Sequence, residues 1–173
     1  VTGYDFTNMG ITIGSDYRFT KSFIAGFMLG LNTSRANVDS IGSKVKMDGY
    51  NLGTYGTYYK DNFYIDGSLS WGLTNYDNTR RIVFPGIDRT ATSSPDGNQL
   101  TLYGGTGYDF RKNNWIITPN MSLQYAKLNI NSYTESGAGA LNLDVDKQNT
   151  ESLQGNIGGR LSRIFKTDRT TLI

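Results

Sequence analysis

Between Phe63 and Leu73 the chain alternates strictly in character. Phe63, Ile65, Gly67, Leu69, Trp71 and Leu73 occupy one set of positions, and Tyr64, Asp66, Ser68, Ser70 and Gly72 the other. Side chains of a β-strand point to opposite faces with period two, so such a segment has one apolar and one hydrated face. Seven runs of this kind follow one another, covering about 9–19, 22–32, 45–59, 63–73, 99–110, 115–125 and 153–162. The strands are long, and the hydrated face is built mostly of Gly, Ser, Thr, Asn and Gln. Together these features predict an all-β chain folded as an antiparallel meander, a transmembrane β-barrel with lipid outside and water inside.

Composition points the same way. Hydrophobic residues make up 37% of the 173 residues, below the roughly 45–50% of soluble globular domains. A barrel of this kind tolerates the deficit because its apolar face is covered by lipid and no central core is required. Twelve Tyr suit membrane–water borders, where one end of the ring is wet. The most apolar stretch, Ser22 to Leu31, is about half of what a membrane-spanning helix requires. The N-terminus, Val1-Thr2-Gly3-Tyr4-Asp5, has neither the charge nor the apolar stretch of a signal peptide, and the expectation is a mature region or an excised piece.

The connections alternate in length. Thr20-Lys21, Lys60-Asp61-Asn62, Arg111 to Asn114 and Lys166 to Arg169 are short, whereas about 33–44, 75–97 and 131–149 are long and polar. A meander places alternate connections at opposite ends, and outer-membrane barrels have short periplasmic turns and long extracellular loops. Within the second long connection, Pro95-Asp96-Gly97 reads as a turn. Pro119, inside the sixth run, lacks a backbone donor and predicts a bulge or a locally unpaired site.

The functional classes that remain are few. The chain has no His and no Cys, which removes the Ser-His-Asp triad, the commonest metal ligand and any disulfide framework. No catalytic or metal-binding residue and no cofactor is assigned. A net charge of +2 gives no basis for nucleic-acid binding. Gly42-Ser43-Lys44 lacks the strand–loop–helix setting of a phosphate loop. Asp144 and Asp146 fall short of a calcium loop.

The succession Gly10 to Tyr17 (GITIGSDY), Gly49 to Tyr58 (GYNLGTYGTY), Phe63 to Gly72 (FYIDGSLSWG), and Trp115 to Tyr125 (WIITPNMSLQY), then Tyr133-Thr134-Glu135-Ser136-Gly137 and Gly158-Gly159-Arg160-Leu161, resembles the β-domain of autotransporters, the translocator units of type V secretion. The resemblance implies an outer-membrane protein of a Gram-negative bacterium and a twelve-stranded barrel, threaded by a passenger or its linker and assembled by the outer-membrane machinery. Residues 1–173 then form one translocator unit that starts near the family's second strand and supplies about seven to eight of the twelve. Its open edges would leave backbone groups that lipid cannot satisfy.

Five charged residues fall on the hydrated face: Asp16, Arg18, Asp66, Asp109 and Arg160. They are expected to line the lumen, to hold water and to meet the linker or passenger; cross-strand Arg–carboxylate pairs among them would brace the wall. A polar lining needs no more specific role than that. Arg80 and Arg81 have the bidentate geometry to bind lipopolysaccharide phosphates, although ordinary loop charges explain them as well. Tyr58, Tyr59, Phe63, Trp71, Trp115 and Phe165 read as an aromatic girdle. Two alternatives share part of this pattern: a small barrel serving as an adhesin or structural protein, and a soluble β-sandwich or lipocalin-like binder, which would bury Phe27, Ile65 and Leu102 between layers.

Overall fold

The computed structural model describes residues 4–38, 42–166 and 171–172. Its main feature is a single antiparallel meander of long strands: β1 (Tyr4–Arg18), β2 (Phe23–Val38), β3 (Ser43–Lys60), β4 (Phe63–Phe84), β5 (Ile87–Ser93), β6 (Asp96–Tyr108), β7 (Phe110–Lys112) and β8 (Trp115–Ile130). A folded connection carries β9 (Tyr133–Thr134), a 3-10 turn at Gly139–Leu141 and β10 (Asp144–Val145) before β11 (Gln148–Arg163) returns along β8. At the end of the chain, β12 (Phe165–Lys166) pairs with β13 (Thr171–Leu172). The neighbour order β1-β2-β3-β4-β6-β8-β11 follows the sequence, and β1 and β11 are the open edges among the described residues.

The registers place the predicted faces in continuous rows. Ile13, Leu29, Leu52, Trp71 and Leu100 are successive ladder partners on one face. Met28, Gly53, Ser70, Thr101, Ala126 and Ser152 are partners on the other. The apolar face is open: Phe27, Ile65 and Leu102 are 70%, 49% and 44% exposed. That exposure argues against the sandwich, because no second layer among the described residues covers these side chains. A belt of large apolar residues without a protein partner matches a lipid-facing wall.

The long connections differ from expectation, and the reason is physical. A strand ladder is held by backbone hydrogen bonds and continues wherever two chains run side by side, whether or not one face is apolar. Strands β2 and β3 therefore extend to Val38 and from Ser43, which shortens the connection predicted over 33–44. The excursion predicted over 75–97 is a hairpin. β4 stays in register through Phe84, and β5 and β6 pair with it in the same register, interrupted at Ser94-Pro95. Its tip is Pro85-Gly86, with Gly86 at φ +83, a left-handed conformation that glycine adopts without strain. The turn thus lies at Pro85-Gly86, and Asp96-Gly97 belong to a strand. Only the third connection is a loop for most of its length. At the opposite end, Asp61 and Asn113 take φ of 56 and 54 in the two tight turns, a region that Asp and Asn tolerate.

Pro119 makes no bulge. It pairs with Gly159 in unbroken register, and the ladder on its other side stops at Gly107–Asn120 and resumes at Phe110–Ile117. The missing donor therefore coincides with the break between β6 and β7, as the unpaired alternative required.

The girdle reading needs one correction. Tyr58 shares the face of Ile65, but Tyr59 pairs with Tyr64 and both stand on the hydrated face. Phe63, Tyr108, Phe110 and Trp115 do gather at the short-turn end. The tilted rings of Tyr108 and Phe110 have centroids 4.8 Å apart, and Arg163 lies 5.3 Å over the Trp115 ring. Eight residues beyond Phe63, about 26 Å along a tilted strand, Trp71 sits near the opposite border of the apolar band. The predicted turn at 166–169 lies largely outside the described residues, as does the side chain of Phe165.

Candidate functional site

The hydrated face is the side of the sheet opposite the apolar belt. Small residues on it serve a specific purpose: they let polar side chains on flanking strands meet across the strand between them. Asp16, Gly26 and Tyr55 are consecutive ladder partners, and Tyr55 Oη donates to Asp16 Oδ2 at 3.1 Å across the glycine. A Cβ at Gly26 would collide with the Ser15 carbonyl oxygen and come within 2.8 Å of Asp16 Cβ. Nearby, Thr57 Oγ1 donates to Asp66 Oδ1 at 2.7 Å. Arg18 stands on the same face, opposite Ile24.

Asp109 organises the corner at the short-turn end. It occupies the break between β6 and β7, and its backbone N–H donates to the Asn62 carbonyl at 2.8 Å. Thr118 Oγ1 donates to one carboxylate oxygen at 2.7 Å and Arg111 Nη2 to the other at 2.8 Å. Arg160 Nη2 lies 4.0 Å away. Thr118 and Ile116 are buried here. Arg160 approaches Asp109 across β8 only at the outer limit of an ion pair, and Asp16 and Asp66 take hydroxyl donors instead of arginine. Tyr55, Thr57 and Thr118 carried no sequence signal beyond lying on the hydrated face.

A second polar cluster lies beyond the belt, on the outer hairpin. The alternation along β4 carries Arg80 onto the lumen-side face and Arg81 onto the outer face. Arg81 Nε and Nη2 bind Asp88 Oδ1 and Oδ2 at 3.0 and 2.6 Å. Arg80 pairs in the ladder with the fully buried Ala91 and reaches across it. Its Nε donates to Glu135 Oε1 at 2.9 Å, and its Nη2 binds Glu135 Oε2 and the Leu141 carbonyl, the latter at 2.9 Å. Both guanidinium forks thus bind carboxylates of this chain, as ordinary ion-paired loop charges do.

Glu135 is only 8% exposed. Arg80, and then the Leu143 N–H donating at 3.0 Å, hold its carboxyl below the usual range against the opposing effect of burial. Arg80 is correspondingly raised by Glu135. Thr92 and Ser136 exchange both backbone hydrogen bonds, at 2.8 and 2.9 Å, and Arg89 Nη1 donates to the Ala138 carbonyl at 2.9 Å. The run Gly137-Ala138-Gly139-Ala140 could have announced close packing here. Ala138 is fully buried, and a Cβ at Gly137, whose φ is +97, would meet the Thr90 carbonyl oxygen at 2.7 Å. No group of three or more acidic, His or Cys side chains arranged to hold a metal occurs among the described residues.

A family profile, the autotransporter beta-domain, matches residues 1–173. The chain belongs to the autotransporter β-domain family. It is similar to the translocator domain of the autotransporter NalP from Neisseria meningitidis, with a TM-score of 0.80, 21% identity, and coverage of 94% of this chain and 56% of that one. The β-domain of the Bordetella autotransporter BrkA gives 0.69 and 25%, with 95% and 65% covered. Among curated relatives, esterase EstA of Pseudomonas aeruginosa is 25% identical over 95% of this chain. Outer membrane protein A of Rickettsia conorii is 25% identical over 99%. The chain spans 26% of the length of EstA and 9% of that of the rickettsial protein. The fold is an outer-membrane translocator barrel wall of a Gram-negative bacterium.

Proposed function

We propose that residues 1–173 form one unit of barrel wall whose hydrated face lines the path of an attached, unfolded passenger, or its linker, to the cell surface. The observation that carries this is the row of Gly, Ser, Thr and amide side chains through the belt, with few apolar groups to hold a passing chain. Asp16, Arg18, Asp66, Asp109 and Arg160 keep that surface wet and meet the linker or passenger. The wall performs no chemistry and uses no cofactor; any catalytic activity of the whole protein belongs to the passenger. The relatives support this division of labour, because a protein named as an esterase and one named as an outer membrane protein match this chain over a minor part of their lengths. Insertion of the whole protein depends on the outer-membrane assembly machinery.

The test is passenger export from the full-length protein carrying Ser68→Leu, Ser70→Leu and Thr101→Leu together. An apolar stripe in the lumen should slow appearance of the passenger at the surface, while heat-modifiable gel mobility still reports an assembled barrel. Unchanged export by the assembled triple variant would remove the conduit role from this face.

A further inference from the structure

The segment 135–143 is placed where an ordinary surface loop would not be. Counting along β4 from the lipid-facing Leu73, whose register with β3 is unbroken to Thr79, Asn78 and Arg80 lie on the lumen side. Their ladder partners on β5, Ser93 and Ala91, lie there too, and both are buried. What buries them comes from the β8–β11 connection. It joins the free edge of β5 through the Thr92–Ser136 bridge, then turns over the inner face, where Glu135 meets Arg80 and the Ala138 and Leu141 carbonyls accept from Arg89 and Arg80.

We infer that residues 135–143 form a strap across the inner side of the outer hairpin that narrows the extracellular mouth of the lumen, with Arg80–Glu135 as its latch. The inference rests on the conduit reading for its meaning but not for its geometry. Three features make the strap a built device. Ala91 is small enough for the Arg80 guanidinium to pass over it. Gly137 has a positive φ and no room for a Cβ. Asn142 Oδ1 accepts from the Ala138 N–H at 2.8 Å, which closes the strap on itself. Glu135 is met by Arg80 from β4, while Arg89 from β5 holds the Ala138 carbonyl, so cations from both strands of the hairpin fasten the strap.

The experiment uses the full-length protein in intact cells. A reporter cysteine is placed at the exposed, lumen-facing Gln99, below the strap, with a control at the exposed, outward-facing Val83. A membrane-impermeant maleimide is added from outside. Release of the latch by Arg80→Ala, and independently of the strap by Gly137→Val, should raise the labelling rate at Gln99→Cys several-fold and leave Val83→Cys unchanged. Equal rates at Gln99→Cys with and without the release substitutions, in barrels that retain heat-modifiable mobility, would overturn the strap. If both variants lose that mobility, the segment is structural to the barrel and the narrowing role falls. Passenger display is scored in the same cells. Loss of the conduit reading would appear as an unchanged passenger signal in the Ser68, Ser70 and Thr101 variant, whatever the labelling shows.

Discussion

The two halves of β4 share one strand and one register but obey different rules. From Phe63 to Leu73, one face is apolar and uncovered and the other small and polar. From Thr74 to Phe84, both faces carry polar groups: Arg81 meets Asp88 on the outside, and Arg80 meets Glu135 on the inside. Among the described residues the lower half has no protein neighbour across either face, while the inner face of the upper half is covered by the strap. Apolar–polar alternation therefore marks where lipid lies against the wall. It does not mark where the strand ends.

The strongest way to break that comparison is to place a charge on the outer face of each half. Leu69→Arg puts a guanidinium into the belt, at a cost of about 2–4 kcal/mol near the bilayer midplane. Leu123→Arg, on the same face of β8, should behave likewise. Val83→Arg adds the same charge to the same face of β4 but beyond the belt, and should fold normally. Urea unfolding in lipid vesicles, or the yield of heat-modifiable barrel, distinguishes the two. Equal penalties at positions 69 and 83 would mean that the apolar band does not end near Leu73.

The sequence is legible where its pattern is set by lipid. The seven runs, their faces and the placement of Asp16, Arg18, Asp66, Asp109 and Arg160 on the hydrated face all follow from period two. The partners of those residues do not, because which hydroxyl reaches which carboxylate depends on strand stagger. Tyr55 reaches Asp16 only because Gly26 stands between them, a pairing 39 residues apart. Above the belt the signal fades further. The excursion from Asn75 to Gly97 has the composition of a loop, yet it is a hairpin held by backbone ladder bonds that its polar side chains do not announce. Arg80 and Glu135 are 55 residues apart, and nothing in the neighbourhood of either names the other.

A smaller effect separates the two inner faces. Arg80→Ala strips a buried carboxylate of its main partner, which costs about 1–2 kcal/mol once water replaces part of a side chain that is already 37% exposed. Ser70→Ala, on the inner face of the lower half, removes a hydroxyl from a wet wall and should change little. Slower amide exchange at Ser136 in the wild type than in Arg80→Ala, with no difference in Ser70→Ala, is the expected pattern.

Acid should act on the latch in one direction. The Glu135 carboxyl is held below its ordinary value of 4.5 by Arg80, so the folded strap favours the ionised form. Its contribution is complete above that ordinary value and is lost as pH falls through the lower, folded one. Cleavage of the strap by an acid-tolerant protease should therefore rise below about pH 4.5 in the wild type, relative to Glu135→Gln, which lacks the titrating group and has no such step. A step of equal size in Glu135→Gln would move the acid sensitivity elsewhere.

The smallest effect belongs to the neighbouring pair, and it sharpens the comparison most. Arg81 and Asp88 have the same bidentate geometry as Arg80 and Glu135, and the Asp88 carboxyl is likewise lowered by its arginine. The difference is solvent: both side chains are about half exposed. Surface pairs of this kind lose in side-chain freedom and salt screening most of what the contact provides. Arg81→Ala should therefore leave strap protection, maleimide labelling at Gln99→Cys and barrel stability unchanged within error, at low and high salt alike. If Arg81→Ala instead matched Arg80→Ala, burial behind Ala91 would not be what distinguishes the latch, and the two faces of the outer hairpin would be energetically equivalent.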